Sequence, residues 1–222
     1  MKQTLLLRMA GPMQSWGTQS RFSIRDTGLE PSKSGVFGLL CAALGAPRDD
    51  EETLWRLREN LVMGVRADRE GIMRKDFHTA KDVAKASGSG TKDTEISDRW
   101  YLSDADFLVG LESDDDALLR VLNKALAHPV WQIFLGRKSF VPGKPVRVLD
   151  APLDAPLLDV LKSFEWITDR REAAPERLRL VLDATPETAS EVRQDVPLSF
   201  AERCFTIRHV VTQFIPIPKG GS

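Results

Sequence analysis

Two short segments of the sequence combine glycine with cations in a pattern that suits a phosphate group. In SKSG, at residues 32–35, Lys33 and Ser34 stand at the start of a predicted helix, where free backbone N–H groups and the helix dipole attract anions. In LGRKS, at residues 135–139, Arg137 and Lys138 follow a glycine that permits close backbone approach. The alternatives are a plain helix cap for the first segment and a hairpin turn with solvated cations for the second.

Aromatic side chains near these cations could stack on the bases of a nucleic acid. Trp16 and Gln14 lie in the glycine-rich segment AGPMQSWG, where the tryptophan is either a lid over the core or a flat surface for a ligand. In KDFHTA, Phe77 precedes His78, which could be a general base, a stacking partner or a structural residue. Proteins bind single-stranded RNA by aromatic stacking combined with phosphate contacts, so RNA is a candidate ligand.

The distribution of charge is more informative than the net charge of −1. Residues 1–40 carry five basic and two acidic side chains, and residues 131–150 carry four and one, so each segment balances to +3. Residues 101–130 and residues 151–200 each balance to −4. Positive charge therefore gathers in the segments with glycine turns, as a polyanion site requires, although charge scatter would explain the counts equally well.

Several function classes lack their signature residues. No nucleophile and base stand at a recognisable spacing, so we expect no catalytic residue. Cys41, Cys204 and three scattered histidines give no zinc-ligand spacing, and we expect no metal and no other cofactor. The two cysteines are predicted to be buried free thiols in a cytoplasmic protein. Apolar runs fall short of the roughly 18 residues that span a bilayer, so no membrane contact is expected.

The order of predicted elements favours an α+β fold. Residues 1–150 give the order strand, helix, strand, strand, strand, helix, strand. This order approaches the βαββαβ plan of a ferredoxin-like (RRM-like) domain if the strands at residues 61–69 and 71–80 pair with each other. Such a sheet carries helices on one face and leaves the other free for a ligand or partner. The polar centre of residues 81–100, ASGSGTKD, predicts a projecting hairpin. Residues 151–222 predict a small β-rich C-terminal part.

Five motifs, in chain order, resemble the CasD family of the RAMP superfamily, whose members are subunits of type I-E CRISPR Cascade complexes. They are LLLRMAGPMQSWG, PSKSGVFGLLCAALG, DFHTA, TEISDRWYLSDADFLVGL and FLGRKSF. The resemblance covers about residues 3–150 and is much more specific than any single motif. It is weaker in the C-terminal third of the chain.

The resemblance implies a ferredoxin-like RAMP domain over residues 1–150, with a thumb at about residues 80–103, and a small β-rich part over residues 151–222. The protein would bind and cap the five-prime handle of crRNA, and it would contact the backbone subunit and the large subunit of Cascade. It would thereby support crRNA-guided recognition of invading DNA, which it meets indirectly through the complex. A separate subunit cuts the precursor RNA in type I-E systems, so the resemblance implies a non-catalytic protein.

The motif match also carries candidate contact residues onto this sequence. The residues implied to contact RNA are Gln14, Ser34, Arg137 and Lys138. Lys33 is implied to lie near a phosphate group. Arg99 and Trp100 would lie at the base of the thumb and contact RNA or the adjacent backbone subunit. Trp16, Phe77 and His78 complete the candidate RNA-binding set.

Two other functions stay open at this point. The first is a crRNA-processing endoribonuclease like the type I-C relatives, which use a tyrosine, a lysine and a histidine. Only one tyrosine is present, Tyr101, and the set cannot be placed, with His78 the only plausible base. The second is a protein-interaction module whose basic patches are incidental.

Overall fold

A computed structural model describes residues 1–20, 23–85, 87–168 and 175–218. The helices are α1 (Lys33–Leu44), α2 (Glu51–Asn60), α3 (Asp116–Ala127) and α4 (Leu157–Ser163). The strands are β1 (Gln3–Ala10), β2 (Met13–Gln14), β3 (Ile24–Arg25), β4 (Val62–Arg69), β5 (Ile72–Ala84), β6 (Thr91–Ser103), β7 (Asp106–Ser113), β8 (Arg177–Ala184), β9 (Glu191–Ser199) and β10 (Cys204–Pro216). Within these described ranges, none of the helices is both long and apolar enough to cross a bilayer.

Local sequence signals explain where the first three helices begin and where α1 ends. The Ser32 hydroxyl accepts a hydrogen bond from the Gly35 N–H and caps α1. The carboxylates of Asp50 and Asp115 cap α2 and α3 in the same way. At the other end of α1, Gly45 adopts a left-handed conformation with φ of 75°, which glycine accepts without strain. The helix predicted to start in the SKSG segment is confirmed.

Six strands form the main sheet in the order β1, β7, β4, β8, β10, β9, and every neighbouring pair is antiparallel. An irregular segment, residues 146–153, lies along the outer edge of β1. There the Arg8 N–H donates to the Val146 carbonyl oxygen at 2.8 Å, and Thr4 and Leu153 exchange two backbone hydrogen bonds of 2.9 Å. The chain is therefore a mixed α+β protein built on an antiparallel sheet.

A second, smaller sheet is built around β6. On one side β5 pairs with β6 as an antiparallel hairpin, from Ile72 opposite Ser103 to Ala84 opposite Thr91. On the other side lie β2 and β3. The prediction that β5 pairs with the strand before it is wrong, because β4 is already bonded on both edges, to β7 and to β8.

Both faces of the main sheet are covered. Helices α1, α2 and α3 pack on one face, and α4 packs on the other, where Leu157 and Leu161 contact Leu6 and Leu108. A Cβ atom added to Gly110 would lie 2.4 Å from Leu157, so glycine is needed for this close approach. The expectation of a free sheet face is therefore wrong: apolar side chains alternate to both faces of β1 and β7, and α4 removes the second set from water.

The C-terminal strands β8, β9 and β10 continue the main sheet. β8 pairs with β4 across the predicted boundary at residue 150, with Val181 opposite Val65. Without β8, the edge of β4 would present unpaired backbone N–H and C=O groups. A buried ion pair reinforces the joint, because Lys33 Nζ of α1 lies 2.7 Å from Asp183 Oδ2 of β8. The strands after residue 175 are consequently part of the same hydrogen-bonded unit as the first half of the chain.

The two cysteines have different surroundings. Cys41 is buried in α1, and burial raises the pKa of its thiol to about 11, with a smaller contribution from Asp50. Cys204 is exposed at the first position of β10. Its predicted burial is wrong, because strand periodicity does not report whether a strand end is covered by another element.

Candidate nucleic-acid interface

Three arginines converge at the base of the β5–β6 hairpin. The parallel pairing of β3 with β6 places Arg25 opposite Arg99. Arg137, from the loop after α3, donates to the carbonyl oxygens of Trp100 at 2.8 Å and of Arg25 at 3.3 Å. Partial burial lowers the pKa of Arg137, the charges of Arg99 and Arg25 lower it further, and Asp26 opposes the shift. Cations that repel one another in this way favour a bound anion.

The turn that carries Arg137 and Lys138 depends on glycine. Gly136 has a φ of +92°, and an added Cβ atom would lie 1.8 Å from the carbonyl oxygen of Ser15. The sequence predicted that the backbone at Gly136 would approach a ligand closely. In the structure it instead approaches the protein's own loop at Ser15. The Arg137 guanidinium lies 5.4 Å from the centre of the Phe140 ring, and Lys138 is exposed.

One face of the hairpin extends the arginine cluster. Arg99 Nη2 lies 3.1 Å from His78 Nδ1, and Arg99 Nε donates to the Ser97 hydroxyl at 3.2 Å. His78 is opposite Ser97 in the strand register. Since successive residues of a strand point to opposite faces, Phe77 lies on the other side. The DFHTA motif therefore contributes its histidine and its phenylalanine to different surfaces.

The other face of the hairpin exposes apolar and aromatic side chains. Phe77 is 66% exposed and Ile96 is 56% exposed. Trp100 is half-buried on the same face, and Lys75 Nζ lies 5.9 Å from the centre of its ring. Lys75 also lies 3.5 Å from a carboxylate oxygen of Asp98. Exposed rings beside cations are the arrangement that stacks on bases of single-stranded RNA.

Gln14 and Trp16 lie inside the protein. Trp16 is 2% exposed and packs in the core beneath α1, where a Cβ atom on Gly35 would come within 2.8 Å of its ring. The Gln14 side chain donates to the carbonyl oxygens of Met9 and Ala105 and accepts a hydrogen bond from the Trp16 indole N–H at 3.1 Å. Of the two alternatives for Trp16, a lid over the core and a flat surface for a ligand, the geometry favours the lid.

The start of α1 is also committed to internal contacts. Lys33 is buried, and its ammonium group donates to Asp183 at 2.7 Å and to the Leu61 carbonyl oxygen at 3.2 Å. Its backbone N–H donates to Asp195 at 2.8 Å. Ser34 is half-buried, with its hydroxyl 3.3 Å from that of Ser32. The positive charge that the sequence placed near phosphate is neutralised by a carboxylate of the C-terminal strands.

The structure thus divides the candidate residues into groups. Arg99, Arg137 and His78 lie together; Phe77 and Trp100 share the opposite hairpin face; Lys138 and Ser34 line a separate groove. Sequence reasoning missed two cations, Arg25 and Lys75. Arg25 stands in a basic stretch whose position depends on a two-residue strand, and only the register with β6 brings it to the site.

The tyrosine that the sequence analysis weighed for a nuclease is half-buried against the main core. Tyr101 packs against Phe140 with ring centres 6.0 Å apart. In the described part of the chain, histidine, cysteine and acidic residues form no group of three or more that could hold a metal ion. The arrangement can bind an anionic chain and stack on its bases.

Known proteins are similar to this chain in sequence and in architecture. A family model described as CRISPR-associated protein (Cas_Cas5) matches residues 4–211. The chain belongs to this Cas5 family. The resemblance that the motifs indicated is confirmed, and the match extends well into the C-terminal strands.

Three relatives of this Cas5 protein are similar along most of its length. The CRISPR system Cascade subunit CasD of Escherichia coli (strain K12) is 37% identical over 153 residues, which are 63% of this chain and 67% of that protein. A crystal structure of a Cas protein is 38% identical, with a TM-score of 0.76 and coverage of 98% of both chains. A chain of a CRISPR RNA-guided surveillance complex is 34% identical, with a TM-score of 0.82, covering 97% of this chain and 91% of that one.

Proposed function

We propose that this Cas5 protein is a non-catalytic subunit of a type I-E Cascade complex that binds and caps the five-prime handle of crRNA. Its similarity to a Cascade subunit and to a chain of an RNA-guided surveillance complex supports this role. The backbone subunit and the large subunit are the proposed protein neighbours, and target DNA is met indirectly through the complex.

The observation that carries RNA binding is the convergence of Arg25, Arg99 and Arg137. Partial burial, followed by the charges of Arg99 and Arg25, lowers the pKa of Arg137, so a bound anion would stabilise the charged guanidinium. Guanidinium groups bind phosphate oxygens in a bidentate manner, which suits a backbone held in a fixed path. The exposed rings lie on the opposite face of the hairpin from Arg99, and they suit unpaired bases.

We infer a ferredoxin-like arrangement within the first 153 residues. The order from the sheet edge is residues 146–153, β1, β7, β4, with α1 and α3 on one face, which supports a βαββαβ plan. The β5–β6 hairpin is the proposed thumb, and it starts at Ile72 instead of residue 80. Its tip carries Gly88 and Gly90, both with positive φ and open space around them.

RNA binding is tested with the double variant Arg99→Ala/Arg137→Ala, co-expressed with the neighbouring genes and purified by a tag on this chain. Each charge-assisted hydrogen bond contributes about 1.5–3 kcal/mol, so losing two should lower the RNA yield by roughly tenfold or more. Wild-type RNA should share one constant five-prime end. Arg120→Ala is the matched control, because Arg120 is an exposed arginine of α3 paired with Asp116.

An unchanged RNA yield in the double variant, or RNA with random five-prime ends in the wild type, would contradict handle binding. The absence of catalysis is tested by incubating the purified chain with repeat RNA. We expect binding without cutting. Cutting that disappears in His78→Ala would establish the endoribonuclease instead.

A further inference from the structure

A deep groove lies outside the arginine cluster. It has a volume of about 680 Å³ and runs between α1, the loop after α3 and the turn that joins β9 to β10. Four aromatic residues line it, namely Trp131, Phe134, Phe200 and Phe205. The Trp131 side chain is 47% exposed. We refer to this feature as the aromatic groove.

The floor of the aromatic groove is the surface of α1. Gly38 and Ala42 lie one helical turn apart there, beside Leu39 and Cys41. A Cβ atom added to Gly38 would meet only the tip of the Phe200 ring, at 3.7 Å. These short side chains leave room for another chain to approach the helix backbone closely. The floor is aliphatic and offers few groups that could read the edge of a base.

Positive charge is confined to the opening of the aromatic groove. In the described part of the chain, the lining residues Arg48, Lys138 and Arg203 are exposed, and none of the residues that line the groove is acidic. Within the described residues, none of these three cations has an ion-pair partner. The opening therefore carries unneutralised positive charge around an apolar interior.

We propose that the aromatic groove binds a segment of a protein subunit in which apolar side chains are flanked by aspartate or glutamate. An apolar centre surrounded by a charged rim, with tryptophan and arginine among its residues, is the anatomy of protein–protein interfaces. The apolar side chains fill the space over Gly38 and Ala42, and the acidic residues face Arg48 and Arg203. RNA is disfavoured because its phosphates would find cations only at the opening.

This inference rests on the proposed function in one respect, because the partner is sought in the assembled Cascade complex. The variant Gly38→Leu fills the groove, and Gly38→Ala is its control, since a single Cβ atom fits at ordinary contact distance. After purification through a tag on this chain, Gly38→Leu should retain handle RNA at the wild-type yield. It should lose at least nine-tenths of one protein subunit, whereas Gly38→Ala should lose none.

The occupant is identified by a photo-reactive residue in the groove. Gln132→p-benzoylphenylalanine places the probe among the lining residues, and peptide mapping of the assembled complex locates the cross-link. We expect a cross-link to an apolar segment flanked by acidic residues, in the same subunit that Gly38→Leu loses. A cross-link to RNA, or to a segment without acidic residues, overturns the proposal, as does full subunit content in Gly38→Leu.

A charge variant keeps the test decisive if Gly38→Leu fails to fold. Arg48→Glu changes an exposed side chain and should weaken retention of the same subunit at least fivefold, with the loss increasing at low salt. Retention equal to the wild type at every salt concentration overturns the proposal. If RNA from the wild-type complex lacks a constant five-prime end, the result counts against handle binding and not against the groove. The failure of the groove proposal and the failure of the proposed function are therefore distinguishable.

Discussion

The loop at residues 11–17 and the β5–β6 hairpin at residues 72–103 carry similar residue types. Their key side chains are buried in the loop and exposed in the hairpin. Both hold an aromatic ring, polar side chains and glycine, and the sequence assigned RNA contacts to both. In the loop, the polar groups of Gln14 are consumed by three internal hydrogen bonds, and Trp16 is buried. In the hairpin, Phe77 remains 66% exposed beside cations.

The difference shows that availability, and not residue type, separates a binding side chain from a structural one. A buried amide must satisfy its own donors and acceptor, and it then has none left for a ligand. The same reasoning separates Lys33, neutralised by Asp183, from Arg137, whose charged neighbours are mainly other arginines. Three variants test this contrast between buried and available side chains.

The largest effect is expected from Trp16→Ala. Removing a fully buried tryptophan from a packed core costs about 3–5 kcal/mol of unfolding free energy. Urea unfolding measures this loss, while the RNA bound per folded molecule should not change. Trp55→Ala is the control, because Trp55 is 55% exposed on α2 and its loss should change stability by less than about 0.5 kcal/mol. A stable Trp16→Ala protein that no longer binds RNA would reverse the assignment of the loop.

Phe77→Ala should give the opposite result. Stacking of one base on an aromatic ring contributes about 1–3 kcal/mol, so RNA affinity should fall by roughly 5- to 150-fold at constant stability. Filter binding of crRNA to the assembled subunits, beside thermal unfolding, provides the two measurements. Phe214→Ala is the matched control, because Phe214 is 61% exposed on β10, away from the hairpin strands. Equal RNA affinity in both variants would remove the hairpin face from the site.

The smallest effect is expected in the pH dependence of the unfolding free energy, through Asp195, which accepts a hydrogen bond from the backbone N–H of Lys33. Burial raises the pKa of Asp195, but hydrogen bonds and charge from Arg208, together with the Lys33 backbone N–H and Arg193, outweigh it, so the pKa lies below the ordinary 3.8. A lowered pKa stabilises the fold above about pH 4, and this contribution is lost as the pH falls through the folded-state pKa. Asp195→Asn should therefore be less stable than the wild type at pH 6, with the gap narrowing below about pH 3.8.

Urea unfolding at several pH values measures this gap. The hairpin residue Asp93, which is exposed on β6, supplies the control variant Asp93→Asn, and its stability should follow the wild type at every pH. A gap that stays constant from pH 6 to pH 3 would show that Asp195 stabilises the joint without depending on its charge.

The ends of α1 could be predicted from the sequence because their signals are local, whereas α4 lies in a segment that the sequence assigned to a β-rich part. Ser32 and Gly45 flank the apolar residues of α1, and both perform the capping roles that their types indicate. The motifs around these elements were also sufficient to place the chain in its family. The pairing of strands was less accessible, because β4 finds its second partner in β8, more than 100 residues later.

Within the candidate site, the sequence indicated Arg99, Arg137 and the aromatic hairpin but not the residues that join them. Arg25 reaches the cluster through a two-residue parallel pairing, which leaves no periodic pattern in the sequence. Likewise, Lys33 has the composition of a phosphate site, and only its contact with Asp183, 150 positions away, shows that its charge is already neutralised.

The sequence alone was enough to predict the ends of α1, the family and the kinds of side chain available for binding an anionic chain. These depend on neighbours within a few positions, where backbone geometry fixes the contacts. The tertiary structure decided which of those side chains face solvent, that α4 covers the second face of the sheet, and that the C-terminal strands complete it. Burial and hydrogen-bond satisfaction depend on residues distant in the chain, so only their packing in space could assign them.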